Sequence, residues 1–118
     1  MPLSCLIVDD NVSLLKAAGA LLEREGIAVV GVASTTSEAL QLVEAHRPDV
    51  TLIDIDLGQE SGFDLVHRLA RDGTQRHSSI LISCYAEADF ADLIEASPAV
   101  GFLAKSQLSA QAIHAILA

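Results

Sequence analysis

Two aliphatic runs in this chain end abruptly on carboxylates, and few folds accommodate that pattern twice. Leu6-Ile7-Val8 runs into Asp9-Asp10, and Val50-Thr51-Leu52-Ile53 runs into Asp54. A short aliphatic run bounded by a polar break has the pattern of a strand buried on both faces, as in a parallel sheet. The residue just past such a strand lies at the sheet's carboxyl edge, where open α/β folds place their ligand sites.

The rest of the sequence supplies the units such a sheet needs. Strand and helix signals alternate five times, the signature of βαβ units. The patterns predict strands near 3–8, 27–33, 49–54, 79–83 and 100–103, and helices near 11–25, 35–46, 61–71, 87–96 and 108–117. Asn11 can cap the first helix and Gly26 can end it. Thr35 and Glu38 have capping-box spacing, and Ser61 and Asp64 nearly so. Ser97-Pro98 stops the fourth helix, because the residue before proline is pushed out of the α region. Leu14, Leu15, Ala18, Leu21 and Leu22 form the first helix's inward stripe. Right-handed crossovers then favour a flavodoxin-like (βα)5 three-layer sandwich with sheet order 2-1-3-4-5, spanning residues 1–118 as one domain. Strands 1 and 3 are neighbours in that order, so Asp9, Asp10 and Asp54 meet at the switch point. Strands 4 and 5 bring Ser83 and Lys105 to the same edge.

Charge narrows the function classes. Sixteen acids against seven Lys and Arg give a net charge of -9. Phosphate contact requires a basic patch, so direct nucleic-acid binding by this domain is not expected. Docking on an anionic membrane surface is disfavoured for the same reason. No stretch approaches the roughly 20 apolar residues of a membrane span. The first residues lack a secretory pattern, and Cys5 and Cys84 read as reduced thiols, so a cytoplasmic location is expected. The core is aliphatic, for the chain has three Phe, one Tyr and no Trp.

No Lys or Arg adjoins the three acids in sequence, so converging carboxylates repel unless a cation joins them. Their chemistry suits Mg²⁺, which takes hard oxygen ligands, with Asp10 and Asp54 as direct ligands and Asp9 acting through water. The backbone carbonyl of Asp56 is a further candidate ligand. A carboxylate can attack phosphorus to form an acyl phosphate, and Asp54, alone at its strand end, is the candidate nucleophile. Lys105 would offer its ammonium, and Ser83 its hydroxyl, to phosphoryl oxygens.

These residues resemble the response-regulator receiver domain over essentially the whole chain. The matching stations are Asp9-Asp10, Asp54, Ser83, Phe102 and Lys105. The resemblance implies phosphorylation of Asp54 by a sensor histidine kinase, movement of Ser83 towards the phosphoryl group and inward rotation of Phe102. It implies output through the helix 4, strand 5 and helix 5 face, with a second copy of the chain as one candidate partner. Asp56 and Tyr85 stand where the family tunes phosphoryl lifetime. Residues 101–106 look like receivers that precede a helix-turn-helix output domain, which implies control of transcription. Departures from the pattern are Ser83 for Thr, Phe102 for Tyr, and Ser106 and Gly58 for Pro. Gly58 implies a looser loop after Asp54, and Ser106 puts in question the cis peptide that usually follows the lysine.

Two other functions share parts of this pattern. A haloacid-dehalogenase-type phosphatase also uses an aspartyl phosphate, and Asp54-Ile55-Asp56 matches the start of its motif. Gly58 departs from that motif, and the chain has no room for a substrate cap. A flavin carrier shares the fold, but Asp9-Asp10 would repel its phosphate. His46, His67, His77 and His114 lack metal-ligand spacing and read as surface residues.

Overall fold

A computed structural model describes residues 2–71 and 78–118. Its strands are β1 (Ser4–Val8), β2 (Ala28–Ala33), β3 (Val50–Asp54), β4 (Ser78–Ser83) and β5 (Gly101–Ala104). Its helices are α1 (Val12–Arg24), α2 (Thr36–His46), α3 (Gly62–Arg71), α4 (Ala91–Ala96) and α5 (Ala110–Leu117). The five strands pair in parallel in the order β2-β1-β3-β4-β5. The fold is the flavodoxin-like sandwich that the alternating pattern predicts.

Strand pleating sorts the aliphatic side chains into two cores. Cys5, Ile7, Val50, Leu52, Ile80 and Ile82 face α1 and α5, where Leu15, Ala18, Leu22 and Ile113 meet them. Leu6, Val8, Ile53 and Leu81 face the other way, towards Ala39 and Val43 of α2 and Leu65, Val66 and Leu69 of α3. β3 is buried along its whole length, so its carboxyl end is fixed by packing on both faces. Each fully buried Leu or Ile contributes about 1.5–3 kcal/mol.

Local signals set most boundaries. Asn11 accepts from the Leu14 amide and caps α1. Beyond α1, Gly26 takes a left-handed φ of 94°, and the Ile27 amide reaches back to the Leu22 carbonyl in a Schellman closure. Thr35 caps α2 through the Glu38 amide, as its spacing predicts. The Glu38 carboxylate reaches one residue further back than a capping box requires, accepting from the amide and hydroxyl of Ser34. Ser61 accepts from the Phe63 amide rather than from residue 64.

Two predicted helices differ in detail. The stretch predicted as one helix over 87–96 begins with a 3-10 turn at Glu87–Phe90 and becomes α-helical only over Ala91–Ala96. Neither Ala86 nor Phe90 caps with its side chain, so nothing secures an earlier start. α5 begins at Ala110 rather than at 108. Ser109 caps it through the Ala112 amide, and Glu25 from the end of α1 accepts from the Ala110 amide at 2.7 Å. Of the four histidines, His46, His67 and His114 are exposed, whereas His77 lies outside the described residues.

Candidate functional site

The carboxyl edge of the sheet gathers the acids that end β1 and β3. One carboxylate oxygen each from Asp9, Asp10 and Asp54 lies within 4.8 Å of the other two. Asp9 and Asp54 are buried, whereas Asp10 is exposed at the mouth. Parallel pairing of Val8 with Ile53 sets the two strand ends side by side, so the register itself delivers the cluster.

Lys105, one residue past β5, reaches across to the same place. Its ammonium lies 2.8 Å from Asp9 Oδ2 and 3.0 Å from Asp54 Oδ2. The Asp54 contact is a directed hydrogen bond. The Asp9 oxygen meets the ammonium as an ion pair without hydrogen-bond alignment, which is why that buried atom has no hydrogen-bond partner. The acids that no base adjoins in sequence are therefore bridged by an amine about fifty residues downstream of Asp54.

Backbone donors fix two of the three carboxylates. Asp9 Oδ1 accepts from the Asn11 amide at 2.8 Å, and Asp54 Oδ1 from the Asp56 amide at 3.1 Å. Asp10 accepts no hydrogen bond among the described residues. Burial pushes the Asp54 carboxyl up to about 6, Lys105 and the Asp56 amide pull it back, and the Asp9 charge raises it. Burial lowers the Lys105 ammonium, but its two acidic partners outweigh this and hold its pKa above the ordinary lysine value.

Three carboxylates sharing one ammonium leave residual negative charge against a low-dielectric wall. The donor set is all carboxylate oxygen, the hard kind that Mg²⁺ takes, and exposed Asp10 gives an ion a route in from solvent. These residues fit a divalent cation.

The loop after β3 is more ordered than Gly58 led us to expect. Asp56–Leu57 pairs antiparallel with Glu60–Ser61 around a two-residue turn, and the Gly58 amide donates to Asp56 Oδ1. Glu60 accepts from the Thr36 amide at 2.9 Å, tying the loop to the start of α2. The Gly62 amide donates to the Ile55 carbonyl, and any Cβ at Gly62 would overlap the carbonyl of Asp54. The loop is held at both ends, which corrects the looser arrangement expected from its sequence. Its signal was present in Asp56 and Gly58, an Asx-type turn before a residue that tolerates a left-handed φ.

The remaining predicted residues stand around this centre without joining it. Ser83 is buried at the end of β4, its hydroxyl accepting from the Tyr85 amide. Phe102 on β5 is half-buried against the α2/α3 core, whereas Leu103 faces the α1/α5 core. Tyr85 is exposed, with its ring edge against Phe90. The Asp56 carboxylate is turned to its own loop. Among the described residues no peptide bond is cis, including Lys105–Ser106.

Comparison with known proteins places this geometry in a family. The model of the response regulator receiver domain matches residues 5–118. The chain is 34% identical over 105 residues to the nitrate/nitrite response regulator protein NarP of Escherichia coli, covering 88% of this chain and 48% of that protein. It is 36% identical over 81 residues to the polar-differentiation response regulator DivK of Brucella anthropi, covering 69% of this chain and 65% of that protein. A response regulator protein from Burkholderia pseudomallei, solved with a phosphorylated aspartic acid, calcium ion and citrate, superposes with a TM-score of 0.83. It is 29% identical, over 98% of this chain and 66% of that one. The chain spans about half the length of several relatives it matches.

Proposed function

The chain belongs to the response-regulator receiver family, and from that premise we propose that Asp54 accepts a phosphoryl group from a sensor histidine kinase. The observation that carries this reading is the ion pairing of Lys105 with both Asp9 and Asp54 beside the exposed carboxylate of Asp10. An Asp54 oxygen attacks phosphorus, an O–P bond forms, and the bond from phosphorus to the donor's leaving group breaks. Asp9, Asp10 and Asp54, with the Asp56 carbonyl, would hold Mg²⁺, which when bound neutralises charge accumulating on the phosphoryl oxygens.

The chain's own groups do the rest. Lys105, already 3.0 Å from Asp54 Oδ2, transfers its hydrogen bond to a phosphoryl oxygen. The Ser83 hydroxyl is one strand away and donates to another once it turns from the Tyr85 amide. That movement vacates space towards which Phe102, half-buried on the next strand, rotates. Asp56 and Tyr85 flank the acceptor and the hydroxyl, and set how readily water reaches the acyl phosphate. The phosphoryl group thereby biases two arrangements of the α4, β5 and α5 face through differential contacts. A second copy of the chain, or an output domain controlling transcription, reads that change in the cytoplasm. No observation here favours a phosphatase.

The test is Mg²⁺-dependent labelling by acetyl phosphate, followed by intact mass. Wild type gains one phosphoryl group, whereas Asp54→Asn, Asp54→Ala and chelated wild type gain none. Labelling that survives in both variants, or wild type that never labels from donor or kinase, overturns the reading.

A further inference from the structure

The three carboxylates are not held alike. Asp9 and Asp54 are each anchored by a backbone amide and by Lys105. Asp10 has no such anchor among the described residues. Gly58 faces its Oδ2: a Cβ built at Gly58 would sit 3.3 Å from that oxygen and, chain neighbours aside, within 4 Å of no other atom of the described residues.

Gly58 is brought to that spot by a left-handed φ of 75° at the tip of the Asp56–Ser61 hairpin. The tip cannot easily retreat. Its amide is bound to Asp56, the Glu60 carboxylate is clamped to the start of α2, and the Gly62 amide closes the base on Ile55. The tied hairpin tip therefore faces the one carboxylate of the cluster that accepts no hydrogen bond among the described residues, at a separation where an added methyl already makes close contact.

We propose that Gly58 is a positioning residue for Asp10: by presenting bare backbone, it leaves the room in which that carboxylate turns onto a divalent ion. This rests on the reading of the acid cluster as a Mg²⁺ site and adds a determinant of its affinity. A side chain at 58 displaces Asp10 from the ion while leaving Asp9, Asp54 and Lys105 in place. Groups that orient metal ligands commonly change affinity by 10- to 100-fold when altered, so a loss on the order of ten-fold is expected.

Gly26 supplies an internal control. Its φ of 94° imposes the same kind of backbone strain on any side chain, but a Cβ there, chain neighbours aside, meets nothing within 4 Å among the described residues. Calorimetric titration with Mg²⁺ alone, on chelator-stripped protein, compares wild type with Gly58→Ala, Gly58→Asn and Gly26→Ala. Asn tolerates a left-handed φ yet keeps the Cβ, so it separates crowding from strain. Both Gly58 variants should bind Mg²⁺ on the order of ten-fold more weakly, whereas Gly26→Ala loses thermal stability and keeps wild-type affinity. Wild-type affinity in Gly58→Asn, or an equal loss in Gly26→Ala, overturns the positioning role alone. Wild type that fails to bind Mg²⁺ overturns both this role and the site reading it rests on.

Discussion

α3 and α4 lie on the same face of the sheet, yet they are seated very differently. α3 buries Gly62, Leu65, Val66 and Leu69, a continuous helical stripe, and its first residue presses against the Asp54 carbonyl. α4 has six residues and buries none fully; only Ile94, with Phe90 just before it, packs partly against the core. Around α4 the chain leaves Tyr85, Leu93 and Val100 half or more exposed. The half carrying the acceptor is over-determined by packing and hydrogen bonds. The half proposed to report phosphorylation is held by few contacts, so a small free energy suffices to move it.

Mutations in the two helices should separate most widely. Leu65→Ala removes a fully buried side chain and should cost about 2–5 kcal/mol. Leu93→Ala, on α4, should stay within about 0.5 kcal/mol. Urea midpoints at unchanged slope measure both. Comparable losses would erase the distinction between the halves.

Acid should act on the well-packed half through Asp54. Its folded-state pKa is raised to about 6, so the folded protein holds that proton more tightly than the unfolded chain does. The resulting stability is fully present below about pH 4 and is lost as pH rises through about 6. Asp54→Asn removes this contribution. In chelated buffer the stability of the variant relative to wild type should therefore grow between about pH 4 and about pH 7. A stability difference that stays constant across this window would show that Asp54 is not strained by burial.

A smaller and cheaper contrast uses the two thiols. Cys5 is buried in β1 and its pKa is pushed up to about 12, while Cys84 is exposed at the start of the segment leading to α4. Iodoacetamide should alkylate only Cys84 in the native protein and reach Cys5 after unfolding. Native labelling of Cys5 at a comparable rate would mean that β1 opens as readily as the α4 edge.

The same division governs what the sequence disclosed. β1 and β3 are legible because strands buried on both faces are largely aliphatic, and Asp9 and Asp54, themselves buried, mark where each aliphatic run gives way to the site. Lys105 was placeable because parallel order fixes which edge β5 reaches. The split before α4 was not legible, because Ala86 and Phe90 lack capping groups and the helical pattern over 87–96 does not show where winding tightens. The clamp from Glu60 to α2 was hidden for another reason: it joins residues 24 apart, and no local pattern encodes such a contact. The start of α5 depends likewise on Glu25, 85 residues away.

Amide hydrogen exchange, read by mass spectrometry before and after phosphorylation with Mg²⁺ and acetyl phosphate, tests the proposed division of labour directly. Protection should change chiefly across residues 84–104, while β1 and β3 exchange as slowly as before. A change confined to residues 2–71, with 84–104 unaltered, would contradict it.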